Sequence, residues 1–201
     1  MEEEEKPIVI SFDIGIKNLA CCCLTYDLES VIYHWDLHPL VEEDRKSKLP
    51  MDATAMRIFE EMDRICASVP RIDYVLLENQ PSRINGTMKT IQMIIYTFFQ
   101  YKKYNEGKIK DVLLISANKK TAEPPFTIDM SGCKAKSKYT QRKYKSVKLT
   151  EKYVEACPVL VDLLGKYKKK DDICDALTQA LAWMRSKGLQ DVRLTDLKTY
   201  P

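Results

Sequence analysis

The chain has 201 residues, 45% of them hydrophobic and 30% charged, with a net charge of +3. That composition suits one domain with a substantial core and excludes a disordered or collagen-like chain. No apolar run reaches the length of a bilayer, and the Met-Glu-Glu-Glu-Glu start is the opposite of a basic signal or transit peptide, so an intracellular protein is expected.

Residues 1–7 read as an acidic tail. Ile8–Asp13, Leu19–Tyr26 and Val31–Leu37 read as three strands, with turn-forming Asp27 and Ser30 between the second and third. Their closeness predicts an antiparallel meander. Val41–Pro50 is charged and turn-like. Met56, Phe59, Met62, Ile65 and Cys66 recur with a helical period over Ala53–Ser68, and Pro70 ends that helix. Tyr74–Leu77 is a buried strand that runs into Glu78. Met88–Lys102 is a strongly apolar helix, Val112–Ser116 another buried strand, and Thr121–Lys138 a loop. A helix is expected from about Tyr144 to Cys157, stopping before Pro158. A last one is expected from about Asp171 to Lys187, with Gly188 as its stop signal. Neighbouring strands followed by strand–helix alternation predict an α/β fold, a mixed five-stranded sheet flanked by helices. Residues 8–187 form the single domain of this reading, and 188–201 a C-terminal tail.

Seven cysteines are present with no C-x-x-C spacing, and the only histidines are His34 and His38. This is not zinc-ligand spacing; buried thiols in a reducing compartment are expected. Charge is unevenly spread. Residues 1–63 hold 6 basic and 15 acidic side chains, and residues 64–201 hold 26 and 14. The densest basic run, "KAKSKYTQRKYKSVK" from Lys134 to Lys148, holds seven Lys/Arg and no acid, with Tyr139 and Tyr144 interleaved. Such a run is either a solvated face or a surface for a polyanion.

Three segments carry acids where acids are unexpected. Asp13 ends "VISFD" and Glu78 ends "YVLLE", each directly after an apolar strand. Sites in α/β sheets gather at strand carboxyl ends, although a loop also commonly starts on a polar residue. In "KKKDDICDALTQALAWM", Ile173, Leu177, Ala180, Leu181 and Met184 form the core stripe of a helix. Asp172 and Asp175, three apart, share a face beside that stripe, while Asp171 is expected to point further toward solvent. Capping and the helix dipole account for one or two acids at a helix start. They do not require a second acid on the same face. Four converging carboxylates repel one another, and a divalent cation relieves the repulsion. Oxygen ligands without His or Cys select Mg2+ or Mn2+. Two such ions about 4 Å apart are a common apparatus for hydrolysing a phosphodiester. Acidic site and basic run together point to a metal-dependent nuclease.

"SFDIGIKN", "VLLENQP" and "KKDDICDAL", in that order, resemble the three acidic motifs of the RuvC-like Holliday junction resolvases, and most closely those of poxviruses and other large DNA viruses. Fungal mitochondrial resolvases are more distant relatives. The match runs from about Ile8 to Trp183. The resemblance implies a ribonuclease H-like fold and an enzyme that resolves four-way DNA junctions by paired symmetric nicks. It implies two Mg2+ ions per site, replaceable by Mn2+, on Asp13, Glu78, Asp172 and Asp175. It implies a catalytic lysine matched by Lys143, with Lys145 as the other candidate. It also implies a homodimer on branched DNA, in host cytoplasm or nucleus if the source is viral, and no membrane association. The apolar helix beginning near Met88 is the candidate dimer interface. Arg83 and Lys89, in the loop after Glu78, and Lys138, Arg142 and Lys145 of the basic run are candidate DNA contacts.

Two other nucleic-acid readings share this chemistry: a ribonuclease H-type enzyme acting on RNA–DNA hybrids, and a non-catalytic junction-binding module. Asp13-Ile14-Gly15-Ile16-Lys17-Asn18 also resembles the first phosphate loop of actin- and Hsp70-like ATPases, but no second Asp-x-Gly accompanies it.

Overall fold

Ile8–Asp13 forms β1, an inner strand on which every residue is buried. The computed structural model describes residues 6–15, 17–40, 50–81, 86–117, 124–135 and 137–198. After β1 come β2 (Leu19–Thr25), β3 (Glu29–His38), α1 (Met51–Ala67), β4 (Tyr74–Glu78), α2 (Gly86–Glu106) and β5 (Asp111–Ile115). The chain continues with α3 (Lys138–Val154), α4 (Pro158–Gly165), α5 (Asp171–Ser186) and β6 (Arg193–Leu197). The sheet order is β5-β4-β1-β2-β3-β6. β1, β2 and β3 are the expected antiparallel meander; β4 is parallel to β1, β5 to β4 and β6 to β3. The sheet is mixed, as expected, and the described residues give it six strands rather than five.

The period of two along β1 decides which layer each side chain meets. Ile8, Ile10 and Phe12 join the core beneath α1 and α2, with Ile58, Met62, Ile95 and Phe99. Val9 joins the opposite core, beneath α3, α4 and α5, with Leu149, Leu160, Leu177 and Leu181. Ser11 and Asp13 share the parity of Val9 and face α5. On β4, Val75 and Leu77 face α1 and α2, so Leu76 and Glu78 face α5. The consecutive cysteines obey the same rule: Cys21 and Cys23 lie in one core and Cys22 in the other, and burial pushes all three thiols up in pKa.

Three expectations are corrected. Residues 193–197, read as part of a tail, form an edge strand whose Leu194 is buried. Pro158–Gly165, where no element was expected, is a short helix with proline in its first turn, a position that lacks an intrahelical N–H partner in any case. α3 begins at Lys138, six residues before the expected Tyr144, because the Ser137 hydroxyl caps it by accepting from the Thr140 N–H at 3.1 Å. The acidic start at 1–5, the turn at 41–49, loop positions 118–123 and 136, and 199–201 lie outside the described residues. Among the described residues no helix is long and apolar enough to cross a membrane.

Candidate active site

β1 and β4 are parallel neighbours, with Phe12 opposite Leu77. Asp13 and Glu78 therefore leave adjacent carboxyl ends on the same face, the one covered by α5. A cleft of about 490 Å³ opens there, lined by Asp13, Glu78, Asp172 and Asp175 together with Lys143 of α3. Three elements far apart in sequence thus bring all four predicted acids to one cleft. The depth of Asp13, only 8% exposed, follows from its place at the end of an inner strand.

The acids are oriented by amides and lysines. Asn18 Nδ2 donates to Asp172 Oδ2 at 3.1 Å, and Lys169 Nζ donates to the same oxygen at 2.8 Å. Gln80 Nε2 donates to Glu78 Oε2 at 3.0 Å, and the Gln80 N–H donates to the buried Gln92 Oε1 at 2.7 Å. Gln179, buried on α5, donates from Nε2 to Ser11 Oγ at 3.0 Å and to the Phe12 carbonyl at 3.1 Å, tying α5 to β1. Gly15 turns the chain after Asp13 so tightly that a Cβ there would clash with the Asn18 carbonyl oxygen. Close approach, not a left-handed φ, is what requires glycine at this position.

Lys143 pairs with Asp171, lies 3.7 Å from Asp172 Oδ1, and sits with its Nζ 5.0 Å from the centre of the Tyr139 ring. Burial disfavours its charge, but the bonds to Asp171 and Tyr139 and the charges of Asp171 and Asp172 override that and hold its pKa above the ordinary lysine value. Asp171, expected toward solvent, is instead 9% exposed, because α3 starts early and carries Lys143 across the start of α5. Burial pushes the Asp171 carboxyl up, and Lys143 beside it outweighs this and keeps it below the ordinary carboxylate range. Lys170, the N-cap residue of α5, makes no side-chain capping bond, and the first-turn acids are engaged by lysines.

The donor set matches a hard divalent cation in chemistry: among the described residues, four carboxylates and no His or Cys line the cleft. In geometry the acids share a cleft rather than a ligand shell. Among the described residues no three His, Cys, Asp or Glu side chains gather closely enough to hold an ion. Lys143 and Lys169 supply the positive charge beside the α5 acids.

The candidate DNA contacts separate. Lys138, Arg142 and Lys145 recur at four and three residues along α3 and so share one face, exposed at Lys138 and Arg142 and half-buried at Lys145. Lys145 is not among the residues lining the cleft; Lys143 is. Lys89 lies on the first turn of α2 and donates to Asn79 Oδ1 at 3.1 Å and Gln92 Oε1 at 3.2 Å, bracing the segment after Glu78. Arg83 lies outside the described residues. Sequence reasoning missed Asn18, Gln80, Lys169 and Gln179 as site-shaping residues. All four stood inside the quoted stretches; Gln80 and Lys169 act on acids two and three residues away, whereas Asn18 and Gln179 reach their partners only by tertiary contact.

A family model described as Poxvirus A22 protein matches residues 7–187. An uncharacterized protein of Acanthamoeba polyphaga mimivirus is 26% identical over 141 residues, 66% of this chain and 34% of that protein, so the match spans about a third of the relative's length. The fowlpox virus resolvase, solved in complex with its substrate Holliday junction DNA, superposes with a TM-score of 0.60 at 23% identity, covering 90% of this chain and 98% of that one. The yeast mitochondrial Holliday junction resolvase does so with a TM-score of 0.60 at 18% identity, covering 90% and 80%. The ribonuclease H-like fold of the resolvases, expected from the three acidic motifs, is borne out. The chain belongs to the Poxvirus A22 protein family.

Proposed function

We propose that this chain is a divalent-metal-dependent endonuclease that resolves four-way DNA junctions by paired nicks in opposed strands. One observation carries the reading: a single cleft lined by acids from β1, β4 and α5 lies beside a helix with a basic face. Membership of the poxvirus family, and a fold shared with a resolvase solved on junction DNA, support the same substrate.

Asp13, Glu78, Asp172 and Asp175 are the residues that would hold Mg2+, or Mn2+ in its place, as two ions per site. When bound, such ions supply activation of the attacking water and charge stabilisation at the leaving oxygen. The protein's own groups do the rest. Asn18 and Gln80 hold the Asp172 and Glu78 carboxylates in fixed orientations. Lys143, kept protonated between Asp171 and Asp172, offsets negative charge that builds on the phosphate. Lys138 and Arg142, with Lys145 beside them, bind the phosphate backbone along α3, and Arg83 and Lys89 are further candidate DNA contacts.

A two-fold homodimer matches a substrate with two opposed strands. α2 is the proposed interface. It buries Ile91, Ile95 and Phe99 in its own core yet leaves Met93 40% and Tyr104 86% exposed.

The test is cleavage of a labelled synthetic four-way junction beside a linear duplex and an RNA–DNA hybrid, with Mg2+ and with EDTA. Paired nicks in the junction alone, lost with EDTA, are expected. Cutting of the hybrid alone would move the chemistry to ribonuclease H, and junction binding without cutting would make the chain a binding module.

A further inference from the structure

Lys143 and Lys169, which both face Asp171 and Asp172, are not equivalent. The Lys143 side chain is 25% exposed and is fixed by Asp171, Asp172 and the Tyr139 ring. The Lys169 side chain is 60% exposed. It reaches into the cleft from the segment before α5, donating to Asp172 Oδ2 at 2.8 Å and lying 3.5 Å from Asp171 Oδ2. Asp172 Oδ2 also accepts from Asn18 at 3.1 Å, so both of its lone-pair directions are committed to N–H donors.

We propose that Lys169 is a displaceable counter-ion. It neutralises Asp172 in the free protein, is released when a divalent cation takes that carboxylate, and then binds a phosphate of the DNA. The inference rests on the nuclease reading above. Asp172 Oδ2 has no lone pair left for a cation while the ammonium and the amide hold it, and an ammonium 2.8 Å from that oxygen repels an ion bound at Oδ1 as well. The doubly charged ion displaces the singly charged one. The group that leaves is the more exposed and less anchored of the two lysines. Its stem already lies at the mouth of a cleft with Lys17 and Lys143 in its lining, where a phosphate is the natural new partner. Metal and DNA then bind with positive coupling, each freeing what the other needs, and the coupling is reciprocal. Lys143 stays in place through this exchange, because Asp171 holds it independently of Asp172.

The test uses the full chain and needs no turnover. Mn2+ binding is followed by electron paramagnetic resonance in wild type, Lys169→Gln and Lys169→Arg, without DNA. Affinity for a four-way junction is measured against salt with Ca2+ and with EDTA. The Gln variant is expected to bind Mn2+ about fivefold or more tightly than wild type, since the metal no longer competes with an ammonium. One phosphate contact changes the salt slope by about 0.9. The wild-type slope should therefore exceed that of the Gln variant by about that amount in Ca2+ and by nearly nothing in EDTA. The Arg variant should follow the wild-type pattern. Unchanged Mn2+ affinity in the Gln variant, or a slope difference equal in Ca2+ and EDTA, would overturn the exchange while leaving a metal-dependent nuclease intact. No Mn2+ binding by any of the three proteins would overturn the exchange and the nuclease reading together.

Discussion

Gln179 of α5 donates to the Ser11 hydroxyl of β1 at 3.0 Å, deep in the core and one turn after Asp175. The same nitrogen lies 3.1 Å from the Phe12 carbonyl and 3.5 Å from the Leu76 carbonyl of β4. One amide thus spans the three elements that carry the acids. Gln179→Leu keeps the volume and removes the donor. It should lower stability by about 1–3 kcal/mol, because buried Ser11 loses its partner. It should also slow cleavage, because α5 is no longer in register with β1 and β4. Urea denaturation followed by circular dichroism checks the first effect, and an unchanged midpoint would contradict it.

Gly15→Ala forces a Cβ against the Asn18 carbonyl. Relief moves Asn18, whose amide orients Asp172. Cleavage should fall at least about tenfold, roughly 1.4 kcal/mol of lost transition-state stabilisation. Junction affinity in Ca2+ should hold. Equal loss of affinity and rate would assign Gly15 to DNA binding instead.

Lys143 and Lys145, two residues apart, should behave differently. Lys143→Ala should reduce the single-turnover rate on the order of a hundredfold, the scale of a lost transition-state donor. Lys145→Ala should leave that rate nearly intact and reduce the salt slope of junction binding by about 0.9. The reverse pattern would exchange their roles.

Away from the cleft, β3 and α1 are joined by a row of polar groups. Ser68 Oγ lies 3.2 Å from His34 Nδ1, His34 Nε2 lies 2.8 Å from His38 Nε2, and His38 Nδ1 lies 2.5 Å from Glu61 Oε1. Burial, and then the charge of His38, push the His34 pKa down to about 4, against the pull of Asp36 and Glu61. In the unfolded chain the pKa is about 6.5, so the unfolded state binds the extra proton first. Stability from this group is complete above pH 6.5 and is lost as pH falls toward 4, by up to about 3 kcal/mol. His34→Gln should flatten the fall in urea midpoint between pH 7 and 4.5; an identical fall in variant and wild type would contradict the linkage.

The site was legible in the sequence where local pattern dictated it. An apolar strand ending on an acid fixes the position of Asp13 and Glu78, and the helical stripe through Ile173 and Leu177 fixes the face of Asp172 and Asp175. What was hidden depends on tertiary contact or on weak local signals. Lys138–Lys143 is too polar to show a helical stripe, so the early start of α3 was missed, and with it the burial of Asp171 against Lys143. β6 is an edge strand with mostly exposed side chains, and its partner β3 lies more than 150 residues away. α4 is eight residues long and starts at the proline that seemed only to end its predecessor.

The most direct test of the proposed site is the Asp172→Asn variant on a labelled four-way junction in Mg2+, with binding measured separately in Ca2+. Asparagine keeps the shape and removes the charge that a divalent cation requires. Junction binding close to that of wild type and no detectable paired nicks are expected. Nicking at the wild-type rate by the variant would contradict the assignment of this cleft as the catalytic centre.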